Sequence, residues 1–232
     1  MALSTADRAL GGIIARSLRA VSLAGLVWLC LVSAALPADA IADENGAAQP
    51  RADVRDPAAT YVSALMEQAI PQLLAMPGAQ RPQELRRLLD ENVDLTGLAR
   101  FAMGRYWRLA NDDERVEFVR LFQELLVQTS NAGLADYKSE KLRVADTRLA
   151  DDDEVVVRSA LGLQDGLSVQ IEWKLRREME SFKIQDVIVE GISIRIALRD
   201  LFAAAIHERG GTVEALLAAM RDLARSRTRD EQ

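Results

Sequence analysis

The sequence predicts an α+β fold in which helices precede and follow one antiparallel sheet. Apolar residues recur at spacings of three and four between 61 and 129, alternate with polar residues between 141 and 189, and return to the helical spacing from 196 onward. The links between the alternating segments are short and rich in turn-forming residues, which favours hairpins and leaves no room for crossover helices. We therefore expect four antiparallel strands with helices packed on one sheet face.

The first forty residues have the composition of a secretory signal peptide. An arginine-containing start precedes an uncharged apolar run at 20–35, and the small residues Ala38 and Ala40 suit a signal peptidase. An uncleaved membrane anchor is the alternative, but a spanning helix needs about 20 apolar residues. We expect 1–40 to be a signal peptide that is cleaved after Ala40, so that the protein is exported.

Cleavage would change what the composition allows. Cys30 is the only cysteine and lies in the leader, so the mature chain has no disulfide and no thiolate metal site. The leader carries three Arg and two Asp, and the remaining 26 basic and 33 acidic residues give a formal net charge of −7. This charge argues against a nucleic-acid partner. We expect a flexible lead-in at 41–57, one domain at 58–225 and a polar tail at 226–232.

Four helices are expected before the sheet. The first covers 61–74, where Pro71 should kink or split it before Pro77-Gly78 ends it. The next two are 81–92 and 94–109. Asn111 can cap the fourth helix, whose first turn is acidic and therefore suits the helix dipole. The apolar face of this fourth helix consists of Phe118, Val119, Phe122, Leu125, Leu126 and Thr129.

The expected strands are 141–149, 154–161, 167–176 and 182–189. The third has the clearest alternation, with Val169, Ile171 and Trp173 on one face. Two helices follow. One covers 196–208 and ends at Arg209-Gly210-Gly211, and Thr212 caps the other.

The residues themselves give little support for catalysis. His207 is the only histidine, and no set of zinc ligands or phosphate-binding glycine loop is present. Asp186 and Glu190 lie four apart and could act as an acid–base pair, or one of them could pair with Arg195 or Arg199. Asp151-Asp152-Asp153 fits a solvated turn better than a calcium loop. We expect no enzyme activity, no cofactor and no metal.

Four segments resemble the MlaC family, also called the toluene-tolerance family. Residues 93–107 end in Met103-Gly104-x-x-Trp107, which is similar to the family's Leu-Gly-x-x-Trp pattern. Residues 114–126 resemble its helix with two phenylalanines four apart. Residues 182–194 resemble its Trp-Lys-Ile-x-Asp-Val-x-Val-Glu-Gly-Val-Ser-Leu signature. The fourth segment is Arg199-Asp200-x-Phe202, which is followed by two glycines and a closing helix. Together they cover about residues 58 to 225 in the family's order.

The resemblance implies a periplasmic lipid carrier that holds phospholipid acyl chains in an apolar pocket between sheet and helices. Such carriers move lipid between an outer-membrane lipoprotein complex and an inner-membrane ABC transporter with its MCE-domain protein. A related branch accompanies hopanoid biosynthesis. Phe182 replaces the usual Trp, and Ala197-Leu198 replace a polar residue and Tyr. The resemblance therefore implies a phospholipid or a hopanoid-related lipid as the ligand, and a divergent member with another partner is the alternative.

Matching positions also imply which residues contact the lipid. Arg199 is expected to make a polar contact near the pocket mouth or a salt bridge with Glu190 or Asp186. Each apolar position could instead be ordinary core, so a filled interaction module remains an alternative, as does a small-molecule enzyme that uses Asp186 or Glu190 as a base. The apolar residues expected to line or border the pocket are Met103, Trp107, Phe118, Phe122, Leu126, Val169, Ile171, Trp173, Ile192 and Phe202.

Overall fold

The computed structural model of the chain describes residues 56–134, 142–162 and 168–230. The predicted signal peptide at 1–40 lies outside the described residues. All but the last two residues of the predicted lead-in at 41–57 lie outside them too.

The first predicted helix is interrupted just before Pro71. Helix α1 (Pro57–Ala64) continues into a π-helical segment (Leu65–Ala69) and then α2 (Ile70–Ala75). The side chain of Asp56 caps α1 by accepting from the Ala58 amide at 2.8 Å. Pro71 cannot donate an i→i−4 hydrogen bond, and the wider π turn lies directly before it. The kink expected at Pro71 therefore takes the form of a π segment.

The next two helices were expected at 81–92 and 94–109. Helix α3 (Arg81–Asn92) has the expected bounds, whereas α4 (Leu95–Met103) stops early and gives way to a 3₁₀ turn (Gly104–Arg108). Gly104 has a φ of +55°, outside the right-handed helical region. The prediction of one helix to 109 was therefore wrong, because the backbone turns at this glycine.

Gly97 in α4 is a position where alanine should be harmful. Its amide donates to Asp94 Oδ1 at 2.9 Å, and a Cβ at Gly97 would lie 2.3 Å from Asp94 Oδ2. Gly→Ala inside a helix normally stabilises by about 0.5–1 kcal/mol, but here it displaces the cap, whose loss costs about 1 kcal/mol. We expect Gly97→Ala to lower the free energy of unfolding in urea, with Gly78→Ala, where a Cβ meets nothing within 4 Å, as the control. A gain in stability for Gly97→Ala would contradict this account of the cap.

Helix α5 (Asp112–Leu134) begins with the expected cap. The Glu114 amide donates to Asn111 Oδ1 at 2.9 Å, and the Asn111 amide donates to a Glu114 carboxylate oxygen at 2.8 Å. This reciprocal pair is a capping box.

The sheet is antiparallel, as predicted, but within the described residues it has five strands and not four. The strands are hydrogen-bonded in chain order. They are β1 (Leu142–Leu149), β2 (Glu154–Gly162), β3 (Ser168–Glu178), β4 (Ser181–Val189) and β5 (Ile192–Ser193).

The extra strand follows a tight turn. Glu190 and Gly191 have φ values of +49° and +80°, and they reverse the chain so that Ile192 pairs with Val189. Two residues are too few to show an alternating pattern, so the sequence did not reveal β5.

Two helices follow the sheet in the described part of the chain, α6 (Ile194–Glu208) and α7 (Val213–Asp230). Ser193 caps α6, and Thr212 caps α7 as expected, with the Ala215 amide 3.3 Å from its hydroxyl. Helix α7 continues through Asp230, so the predicted polar tail at 226–232 is helical up to that residue. None of the helices in the described part of the chain combines the length and apolar composition that a bilayer crossing requires.

The apolar residues form two main buried clusters. The sheet cluster joins the inner faces of β1 to β4 to Ala58 and Val62 of α1. The helix cluster lies among α4, α5, α6 and α7. Ile194, at the start of α6, packs against both clusters. The fold therefore has a sheet layer covered by α1 and a separate helical layer, not one core shared by all the helices.

Candidate functional site

The residues predicted to contact lipid separate into three groups. Val169, Ile171 and Trp173 belong to the sheet cluster. Ile192 and Arg199 are exposed. The remaining six, all in or against the helix cluster, are Met103, Trp107, Phe118, Phe122, Leu126 and Phe202. The structure therefore does not bring the predicted set together around one pocket.

Three phenylalanines form the centre of the helix cluster. The ring centres of Phe118 and Phe202 are 5.3 Å apart in an edge-to-face arrangement, and Phe122 lies 5.9 Å from Phe118 and 5.8 Å from Phe202. Such pairs add about 0.5–1.5 kcal/mol beyond their buried area. Phe118 and Phe122 are 0% and 1% exposed, which fits a packed core.

A small apolar cavity of about 20 Å³, enough for roughly one water molecule, lies beside this aromatic cluster. Helices α5, α6 and α7 form its walls, and Phe202 connects it to the other phenylalanines. Its lining residues are Leu125, Leu201, Phe202, Ala205, Ala219, Met220 and Leu223. Phe202 is the only member of the predicted set that lines this cavity.

Two small buried side chains mark the position of the cavity, although helical periodicity alone does not reveal it. Ala205 of α6 and Ala219 of α7 are buried positions with small side chains, and both line the open space. Periodicity marks these positions as buried but does not show that their neighbours fail to fill the gap.

A charged pair joins two of the helices that form the cavity. Arg221 of α7 donates two hydrogen bonds of 2.6 Å to the carboxylate of Glu117 on α5. The hydrogen bond from Arg221 lowers the pKa of Glu117. Because this pKa is lower in the folded chain, the pair stabilises the fold at neutral pH and is lost as the pH falls through the lowered value.

The sheet residues predicted to contact lipid pack and hydrogen-bond within the protein core. The Trp173 indole donates to the Ser159 hydroxyl at 3.0 Å, and this hydroxyl lies 3.3 Å from the Ile171 carbonyl. Trp173 is 4% exposed. These contacts describe a filled core on the inner face of the sheet.

Asp186 and Glu190 have separate partners. Asp186, which is 4% exposed, accepts from the Ser193 hydroxyl at 2.6 Å and from the Arg195 amide at 3.0 Å. Glu190 accepts from the Gln170 amide across the strands. Asp186 therefore fixes the first turn of α6 onto β4.

Removing the Asp186 carboxylate is expected to destabilise the junction of β4 and α6. Asp186→Ala would leave the Ser193 hydroxyl and the Arg195 amide without their acceptor, and each buried unsatisfied group costs about 1–3 kcal/mol. We expect a loss of about 2 kcal/mol in urea unfolding. Asp200→Ala, at an exposed carboxylate on the same helix, should change the value little, and equal losses for the two variants would contradict this role.

Arg199 does not form the predicted salt bridge. Its guanidinium pairs with the neighbouring Asp200 at 3.1 Å, and within the described residues it makes no ion pair with Glu190 or Asp186. Those carboxylates are held by the contacts described above. Arg199 also lies over the ring of Phe101, with its guanidinium carbon 5.4 Å from the ring centre.

Three comparisons with known proteins agree with this architecture. A family model described as MlaC protein matches residues 60–222. Toluene tolerance protein Ttg2D of Pseudomonas putida is 28% identical over 135 residues, which are 56% of this chain and 61% of that relative. The chain thus spans about three fifths of the length of the curated relative.

A solved structure shows the same fold. The phospholipid-binding protein from Ralstonia solanacearum, determined in complex with a phospholipid, gives a TM-score of 0.61 at 23% identity. The match covers 76% of this chain and 99% of that one. Since the family model extends from α1 to α7 and matches well over half of the sequence, the chain belongs to the MlaC family.

Proposed function

We propose that this protein is a lipid carrier that buries phospholipid acyl chains in the cavity between α5, α6 and α7. The observation that carries the proposal is the match of residues 60–222 to the MlaC family model. The small cavity, which is lined by seven apolar residues next to an aromatic cluster, is where we place the acyl chains. Membership of the MlaC family, and the phospholipid held by the Ralstonia protein of the same fold, give the cavity a chemically matching ligand.

The chemistry of the lining favours a hydrocarbon chain. Transferring one CH₂ group from water to an apolar site is favourable by about 0.8 kcal/mol. Leucine, alanine, phenylalanine and methionine side chains offer no strong hydrogen-bonding group to a polar substrate. The head group would remain in water at the open mouth.

The size of the cavity requires it to widen. At about 20 Å³ it is far below the range of about 300–1,000 Å³ for ligand pockets, so even one acyl chain needs the helices to move apart. The link between α6 and α7 contains Gly210 and Gly211, with φ values of +85° and +80°. We propose that α6 and α7 separate about this glycine pair when lipid enters.

The wider role follows from the family resemblance. The proposal includes export by the 1–40 signal peptide, a periplasmic location, and transfer between an outer-membrane lipoprotein complex and an inner-membrane ABC transporter with its MCE-domain protein. A hopanoid-related lipid is the alternative ligand. Leu198, at the position where the family usually has Tyr, is buried in the helix cluster and does not line the cavity, so this departure does not favour either ligand.

The contacts of Asp186 and Glu190 favour a binding role for the protein over catalysis. Asp186 holds the start of α6, and Glu190 is engaged with β3. Neither of them lines the cavity.

Lipid extraction of the purified protein tests the proposal. The chain is expressed in a Gram-negative host, extracted with organic solvent and measured by mass spectrometry. We expect about one phospholipid per chain, as one pocket predicts. A hopanoid-producing host distinguishes the two lipid classes. Protein that yields no lipid from either host would contradict the carrier function.

A further inference from the structure

Arg195 and Arg199 stack on Phe101 where α4 meets α6, and Arg100 and Arg105 lie close to Phe101 in the sequence. Arg100 and Arg105 come from the end of α4 and the 3₁₀ turn, and Arg195 and Arg199 come from the first two turns of α6. The guanidinium carbons of Arg195 and Arg199 lie 4.3 and 5.4 Å from the centre of the Phe101 ring. Stacking on an aromatic ring holds both cations in place at the surface.

Few ion pairs neutralise this group, although Arg105 donates to the Tyr106 hydroxyl at 2.9 Å and the Asp186 carboxylate accepts from the Arg195 amide. Arg100, Arg105 and Arg195 form no ion pair in the part of the chain that the structure describes, and Arg199 pairs with its neighbour Asp200. The Nε atom of Arg195 is buried and has no hydrogen-bond partner among the described residues. Unpartnered buried donors are uncommon in native structures. Such a concentration of unpaired cations suits an anionic partner.

Two half-exposed isoleucines are close to Arg195 in the sequence. Ile196 follows Arg195 directly, and Ile192 precedes Ile196 by four residues. Each is 46% exposed. We call Arg100, Arg105, Arg195 and Arg199, together with these two isoleucines, the arginine patch. Apolar side chains flanked by arginines are the composition of a membrane-interface contact.

The opposite end of the sheet is acidic. The β1–β2 turn contains Asp151, Asp152 and Asp153, and Glu180 lies in the β3–β4 turn, whereas Glu178 at the end of β3 pairs with Arg176. Strand β4 starts at this acidic end and, over nine residues, or about 30 Å, runs to the turn before Ile192. In a chain with a formal net charge of −6, this separation would orient the molecule near an anionic surface with the arginine patch facing it.

We propose that the arginine patch docks the protein on the surface of membranes that contain anionic phospholipids. The idea rests on the proposed carrier function, since a carrier must reach a membrane to exchange lipid. Each arginine near an anionic surface strengthens binding about fivefold, and the two isoleucines enter the interface. A stable protein interface buries about 800 Å² on each partner around an apolar and aromatic centre, whereas this patch offers two isoleucines and a ring already covered by guanidinium groups.

Vesicle sedimentation of the exported protein, from which residues 1–40 have been removed, tests the docking. The vesicles are phosphatidylcholine alone, or equal parts of phosphatidylcholine and phosphatidylglycerol. We expect sedimentation with the anionic vesicles only, weakened by added salt. Arg195→Gln with Arg199→Gln should lower the affinity about 25-fold, from about fivefold per charge. Arg143→Gln with Arg148→Gln is the matched control on exposed β1 positions with the same change in charge, and it should retain wild-type binding.

A second variant keeps the net charge and leaves the arginines that stack on Phe101 unchanged. Ile192→Ser with Ile196→Ser should also weaken sedimentation, because it removes only the exposed apolar contact. The proposal would be overturned if wild-type protein does not sediment with anionic vesicles, or if the patch and control variants lose vesicle binding equally. Binding of the patch to an acidic protein without binding to vesicles would overturn it as well. Lipid extraction of the same samples separates the two hypotheses. Bound lipid without vesicle binding would contradict only the docking proposal. Vesicle binding without bound lipid would contradict the carrier function.

Discussion

Replacing Phe118 with alanine is expected to lower the free energy of unfolding by about 3–5 kcal/mol, the usual cost of deleting a fully buried phenylalanine. Phe118 is 0% exposed and contacts both other rings of the aromatic cluster. Its neighbours Phe122 and Phe202 come from different helices, so the cavity left behind cannot close by a small local movement. Urea unfolding followed by circular dichroism measures the loss.

The control for this substitution lies two residues earlier on α5. Val116 is 71% exposed, and Val116→Ala should change the stability by no more than about 0.5 kcal/mol. A loss below about 1 kcal/mol for Phe118→Ala would show that the three rings do not form the centre of the helical layer.

Filling the cavity should weaken lipid binding, and because Ala205 and Ala219 are buried, the added side chains should also lower the free energy of unfolding by about 1–3 kcal/mol. Ala205→Leu with Ala219→Leu places larger apolar side chains in the space between α6 and α7. Excluding only two methylene groups of an acyl chain would weaken binding by about 1.6 kcal/mol, more than tenfold. The lipid content per chain after purification, measured by mass spectrometry, gives the result.

The same helices provide the matched control. Ala204 and Ala218 are the exposed neighbours of the two cavity alanines, so Ala204→Leu with Ala218→Leu adds the same volume outside the cavity. This control should retain lipid at the wild-type level. If both double variants keep their lipid, the acyl chain lies elsewhere in the protein.

Much of the secondary structure was predictable because its signals are local. Asn111 and Glu114 form the capping box at the start of α5, and the alternation around Trp173 identifies β3. The first four strands begin and end within two residues of their predicted bounds. Caps and periodicity act over a few residues and are therefore visible in a single sequence.

The site was less predictable because it depends on which buried faces meet. Periodicity and the family resemblance selected Trp173 and Phe118 together, yet Trp173 packs in the sheet cluster and Phe118 in the helix cluster. Ala205 and Ala219 line the cavity but have the small side chains of ordinary core positions. Gly104 ends α4 through its backbone conformation, which helical spacing does not reveal.

The location of the acyl chain is the central claim, and photo-crosslinking tests it most directly. The purified protein is loaded with a phospholipid that carries a photoactivatable diazirine in its acyl chain, irradiated, digested and analysed by mass spectrometry. We predict crosslinks on the cavity residues of α5, α6 and α7, such as Leu125, Phe202 and Met220. Crosslinks concentrated instead on the inner sheet face around Val169, Ile171 and Trp173 would contradict the account.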